Sequence, residues 1–107
     1  MNELAEAIAA SERIVFFGGA GVSTESGIPD FRSGGGLYSK RIGTFSPEEI
    51  LSHSFFVKHT EEFFDYYRAN LLHPEAKPNP AHLALARLEQ AGKLTAVITQ
   101  NIDGLHQ

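Results

Sequence analysis

The stretch Val15-Phe-Phe-Gly-Gly-Ala-Gly-Val-Ser-Thr24 decides the reading of the fold. Arg13 to Phe17 carries the short apolar run IVFF and ends on glycines, which predicts a buried strand. The strand runs straight into a glycine-rich turn. Glycines let a backbone turn sharply with φ above zero and approach a ligand closely. Exposed N–H groups at a helix start then favour an anion. Ser23 or Thr24 is expected to cap a short helical turn with Glu25 in its first turn, and Gly27-Ile28-Pro29-Asp30 to stop it. Known fingerprints fail on this stretch. Thr24 stands where a dinucleotide motif needs its third glycine, and no lysine follows Gly21 as a Walker loop requires. A nucleophile elbow at Ser23 would need glycine at position 25 and meets Glu25, which counts against a hydrolase. From this stretch alone, a phosphate cradle and a purely structural turn both stay open.

Working outward, Leu4, Ala5, Ile8 and Ala9 share one face of a predicted helix over 3–11. Ser46-Pro47-Glu48-Glu49 is a helix start, and Phe55 to Leu72 reads as one further helix. Its aromatic residues read as packing. Asn79-Pro80 opens a third helix with Leu83, Ala84, Leu88 and Ala91 on its apolar face, closed by Gly92. Leu94 to Thr99 is a second buried strand. The order strand, helices, strand implies parallel strands joined by a crossover, an α/β arrangement. Residues 32–44 hold four glycines and little periodicity, and read as a long functional or disordered loop. Two strands cannot make a sheet covered on both faces. The chain therefore reads as the front portion of a larger α/β domain.

Composition narrows the function classes. A formal charge of −4 without a basic cluster gives no surface for nucleic acid or an anionic membrane. No apolar run approaches the roughly 20 residues of a membrane span. The acidic N-terminus reads as a helix and not as a signal peptide, so the expected compartment is the cytoplasm. The chain contains no cysteine, which excludes disulfides and thiolate metal sites within it. His53, His59, His73, His82 and His106 lack ligand spacing. His82 and His106 read as satisfied structural residues, and no metal is expected here.

Two further motifs carry polar chemistry. In Gly27-Ile-Pro-Asp-Phe-Arg-Ser33, Asp30 and Arg32 flank Phe31 in a stretch expected to face the glycine turn. The planar fork of Arg32 suits a pyrophosphate or carboxylate, and Phe31 can exclude water. A turn with an Asp–Arg pair and a buried Phe is the plainer alternative. In Thr99-Gln-Asn-Ile-Asp-Gly104, the side chains of Gln100, Asn101 and Asp103 follow the carboxyl end of a strand, where open α/β sheets bind ligands. An Asx turn is the alternative for this segment. Two such loops at one edge, with the Asp30–Arg32 segment, point to a shared site.

Taken together, GAGVS, GIPDFRS, KPNPAH ahead of a helix and TQNIDGLH resemble the sirtuins, NAD-dependent protein lysine deacylases, and bacterial-type members most. The resemblance runs from about residue 12 to the end. It implies a Rossmann-like parallel sheet, with residues 1–107 as the N-terminal part of the NAD-binding domain and 32–78 as a cofactor loop and helical insertion. It implies that Ala20 and Gly21 sit on the cofactor diphosphate and that Thr24 adds contacts. Phe31 and Arg32 would belong to the cofactor loop, with Tyr38 a weaker member. Gln100 would contact the nicotinamide-side ribose, and Asn101, Ile102 and Asp103 would line the nicotinamide pocket.

The implied reaction joins an acyl-lysine and NAD to give lysine, nicotinamide and acyl-ADP-ribose. The partners implied are NAD and acylated proteins. A Tyr-x-x-Arg pair marks family members that prefer acidic acyl groups; aligning FFDYYR puts Phe64 and Tyr67 in those places, which implies an uncharged acyl group, acetyl first, while a shift of one residue would bring Arg68 closer. The family's general-base histidine and zinc-binding cysteines are expected after Gln107. The chain by itself is thus expected to be inactive and prone to self-association through an incomplete sheet. A non-enzymatic half-site for NAD or ADP-ribose, or an assembly module, is the alternative.

Overall fold

The computed structural model describes residues 2–31 and 45–107. The element order is α1 (Glu3–Ala10), β1 (Ile14–Gly18), a 3-10 helix (Ala20–Ser26), α2 (Pro47–Ile50), α3 (His53–Lys58), α4 (Thr60–Asn70), α5 (Pro80–Gln90) and β2 (Leu94–Thr99). The strands pair in parallel, with Phe16 opposite Val97 and Gly18 opposite Thr99. This register brings the carboxyl ends of both strands to one edge. The glycine turn and the 100–107 loop leave the sheet side by side.

Local chemistry explains the ends of the elements. The Asn2 side chain accepts from the amide of Ala5 and caps α1. At the other end of α1, Lys93 Nζ donates to the carbonyls of Ala9 (3.0 Å) and Ser11 (2.8 Å). A cation at a helix C-terminus meets the negative end of the dipole. Thus α1, which buries none of its residues, is tied to the residue that leads into β2. Ser46 caps α2, accepting from the Glu49 amide at 3.2 Å. Asn79 caps α5 ahead of Pro80.

Three expectations need correction. The helix expected over 55–72 is two helices. The chain breaks at His59 (φ −132°, ψ 59°), and Ser52 caps the earlier piece by accepting from the Phe55 amide at 3.2 Å. Next, neither Ser23 nor Thr24 is a cap. The 3-10 helix begins after Gly19, Ser23 lies inside it, and Thr24 Oγ1 donates back to the Gly21 carbonyl. Finally, the strands are half-exposed rather than buried: Phe17 is 78% and Ile98 52% exposed. Their side chains alternate across the sheet, and among the described elements only α5 packs closely against β2. The best-buried apolar cluster lies instead among the short helices. Ile50, Phe55 and Tyr66 pack there with Phe45, Leu51 and Phe63. Phe55, Phe63 and Tyr66 of the aromatic stripe are packing, as expected, while Phe56 and Phe64 stay exposed. The expected loop over 32–44 lies outside the described residues. No helix among the described residues is long and apolar enough to cross a membrane.

Candidate functional site

The site is assembled at the shared strand edge. Asn101 first turns back on its own strand, its amide donating to Thr99 Oγ1 at 2.9 Å. Its side-chain Nδ2 then reaches across to the carbonyl of Gly19 at 2.9 Å. Ser23, 1% exposed, donates from Oγ to Asp103 Oδ2 at 2.6 Å. The other carboxylate oxygen of Asp103 accepts from the Leu105 amide at 2.9 Å. Two hydrogen bonds thus fasten the TQNID loop to the glycine turn, and Asp103 is held from both sides. An ionised carboxylate has about four acceptor positions. Two are used among the described residues, leaving capacity for a ligand donor.

Of the two uses expected of the turn's glycines, positive φ is absent at Gly19 and Gly21, while room for close approach is present. Among the glycines of the glycine turn and 3-10 helix, only Gly27, which ends that helix, has a positive φ (89°). A Cβ at Gly18 would collide with the ring of Phe16, which would have to swing aside. At Gly19 and Gly21 a Cβ would meet nothing within 4 Å among the described residues. No hydrogen bond among those residues engages the amides of Ala20 or Gly21. The bare backbone there faces open space, which suits a ligand coming close to the main chain.

Beside the turn lies a cavity of about 360 Å³. One wall carries Ala20, Ser23, Gln100, Asn101, Ile102 and Asp103. Ile28, Pro29 and Phe31 form a second wall, and Leu51, Tyr67, Asn70, Leu71 and His73 the third. Of the expected site residues, the structure brings together Ala20, Phe31, Gln100, Asn101, Ile102 and Asp103. Gly21 and Thr24 lie on the turn but outside the cavity wall, and Arg32 and Tyr38 fall outside the described residues. The α4 wall was missed at most positions. Its residues carry no motif, and only the fold of the short helices brings them to the edge.

Beneath the turn, Asn79 and His82 are 6% and 4% exposed. Asn79 Nδ2 donates to the Val22 carbonyl (2.7 Å) and to Ser26 Oγ (3.0 Å), so the cap of α5 also grips the 3-10 helix. His82 Nδ1 accepts from the Asn79 amide at 3.1 Å. The His82 and His106 rings meet edge to face at 4.9 Å. The expectation that both are satisfied is corrected, because the buried Nε2 atoms of both find no partner among the described residues. Burial lowers the pKa of His82, neighbouring His106 lowers it further, and Asp103 opposes them. No group of three metal-ligating side chains converges among the described residues.

Residues 19–107 match the model of the Sir2 family. The chain belongs to that family. An NAD-dependent protein deacetylase of Clostridium perfringens is 62% identical over 108 residues, covering all of this chain and 44% of the relative. That of Clostridium tetani is 64% identical, covering 99% of this chain and 43% of the relative. The chain therefore spans less than half the length of these curated relatives. Among solved structures, a mutant Sir2 homologue in complex with ADP ribose superposes with a TM-score of 0.84 at 42% identity, covering 99% of this chain and 42% of that one. A Sir2–p53 peptide–NAD+ structure gives 0.80 at 42% identity, covering 100% and 40%. The Sir2 fold accounts for the parallel strand pair and its crossover.

Proposed function

We propose that the protein carrying this chain is an NAD-dependent protein lysine deacetylase, and that residues 2–31 and 45–107 hold the pyrophosphate and nicotinamide ends of its NAD site. The observation that carries this reading is the junction of the glycine turn and the TQNID loop through Ser23–Asp103 and Asn101–Gly19. It sets a held carboxylate and an unobstructed glycine backbone beside one cavity. Relatives at about 60% identity that are named as such deacetylases support it.

The residues present fit NAD. Among the described residues nothing engages the amides of Ala20 and Gly21, and no side chain stands in the way at position 21, where a diphosphate would lie. Thr24 braces that turn through Gly21. Phe31, with Arg32 beside it in sequence, closes the nicotinamide side against water. Gln100 lines the cavity where the adjoining ribose would sit, and Asn101 and Ile102 shape the ring pocket. Asp103 keeps acceptor capacity for a carboxamide. When bound, NAD supplies nicotinamide as leaving group and the ribose carbon that takes the acyl oxygen. The chain's contribution to this is positioning and exclusion of water, which can supply several kcal/mol of barrier lowering.

The test uses the protein expressed from its full coding sequence. Nicotinamide release from NAD should require an acetyl-lysine peptide. ADP-ribose binding without peptide-dependent release would favour the non-enzymatic binding module instead.

A further inference from the structure

We propose that Asn79 and His82 form a proton-sensitive latch on the glycine turn: neutral His82 holds Asn79, Asn79 holds the 3-10 helix, and acid releases the turn and weakens ligand binding there. The inference rests on the NAD-site reading for its ligand, but the latch itself rests on hydrogen-bond geometry.

Asn79 is fully committed. Its Oδ1 accepts from the Ala81 amide at 2.9 Å, and its Nδ2 donates to Val22 O and Ser26 Oγ. Those two acceptors lie in the 3-10 helix that opens with the Ala20–Gly21 backbone. Asn79 is thus the link between the start of α5 and the turn, 57 residues away from Val22 in the chain. Its own backbone is fixed by His82, whose Nδ1 accepts the Asn79 N–H.

That bond dictates the protonation state. A ring nitrogen that accepts must be bare, so the single proton of neutral His82 sits on Nε2. A second proton can go only to Nδ1. There it would oppose the Asn79 N–H, donor against donor, in a buried place. The latch must open for His82 to become charged. The groups facing the ring are few: His106 and Asp103 from the loop after β2 act on its charge, and Phe16 from β1 packs beyond His106. His106 opposes a positive charge and Asp103 favours it. The position of His82 in the first turn of α5 also disfavours a cation. The balance keeps the ring neutral near pH 7, and acid below the ordinary histidine range works against the latch.

Asn79 and His82 are positioning residues here, since neither lines the cavity. The experiment measures ADP-ribose affinity of the full-length protein by calorimetry from pH 8 to pH 5.5. Wild type should weaken several-fold, at most about tenfold per pH unit for one proton. His82→Asn places Oδ1 where the ring has Nδ1, so it keeps an acceptor that does not titrate, and should lose most of that acid-dependent fall. Asn79→Ala should weaken binding already at pH 8. An unchanged acid dependence in His82→Asn, or none in wild type, overturns the latch. A failure to bind at pH 8 in wild type sinks the NAD-site reading instead. The latch is then decided by ¹⁵N spectra of the histidine rings: a bare Nδ1 on His82 at pH 8 supports it, and a protonated Nδ1 overturns it.

Discussion

Ser23 Oγ and Asp103 Oδ2 lie 2.6 Å apart, although 80 residues separate them in sequence. A short O–H···O⁻ contact of this length belongs to the stronger, charge-assisted class. It joins the turn after β1 to the loop after β2. Ser23→Ala would leave Asp103 short of a donor in a partly buried place. The expected cost is about 1–3 kcal/mol of stability, read from urea unfolding. Nicotinamide exchange should fall with it, because the carboxylate loses the bond that aims it.

Asp103→Asn separates the two ends of the site. The carboxamide keeps Oδ1 for the Leu105 amide, yet its –NH₂ cannot accept from Ser23 or from a ligand. In the proposed NAD site Asp103 would meet the nicotinamide carboxamide, whereas the Ala20–Gly21 backbone would meet the diphosphate. Nicotinamide base exchange should therefore weaken more than ADP-ribose binding. Equal losses in both assays would count against the assignment.

The strands, the crossover and the two polar loops were legible because each rests on local signals: apolar runs, glycines and a capping Asn-Pro. The break at His59 was less so. Ser52 ahead of Phe55, and Thr60-Glu61-Glu62 after it, are both helix starts, but aromatic residues on both sides of the break, Phe55, Phe56, Phe63 and Phe64, masked the division. The exposure of Phe17 and Ile98 could not be read from apolar composition, since it depends on which neighbours cover each face. Positive φ at Gly19 and Gly21 was expected wrongly for a different reason. A glycine can be required by φ, by packing or by a ligand, and only coordinates separate the three. Asn79 was visible as a cap, while its grip on Val22 and Ser26 depends on how α5 approaches the turn.

For the proposed deacetylase, an uncharged acyl preference is expected from where Arg68 goes. Its guanidinium pairs with Asp65 at 2.9 Å on an exposed face of α4, and Tyr67 rather than Arg68 lines the cavity. Among the described residues, no arginine or lysine lines it. An acidic acyl group would lose its hydration without gaining a partner there. Acetyl peptides should be turned over faster than succinyl peptides by the full-length protein. A higher kcat/KM for succinyl would reject this reading.

Lys93 tests how α1 is held. Its ammonium bonds the carbonyls of Ala9 and Ser11, and α1 buries nothing else. Lys93→Met keeps much of the apolar stem and removes the donor. Stability should drop by about 1–2 kcal/mol. Hydrogen exchange should show α1 amides losing protection before those of α5. Uniform loss across both helices would mean that Lys93 does not act through α1.

The pH dependence of stability carries the sign of the His82 shift. Its folded pKa is lowered from 6.5, chiefly by burial. As pH falls through about 6.5, the unfolded chain takes up a proton that the folded chain refuses. Stability is therefore highest above this window and declines below it, by at most about 1.4 kcal/mol per pH unit for one group. The decline ends once pH passes the folded pKa. Paired carboxylates dominate at still lower pH, so the informative range is about pH 5 to 6.5. Urea midpoints measured there should fall more steeply for wild type than for His82→Asn, whose side chain takes up no proton. Parallel pH profiles for the two proteins would show that the acid sensitivity arises at another group.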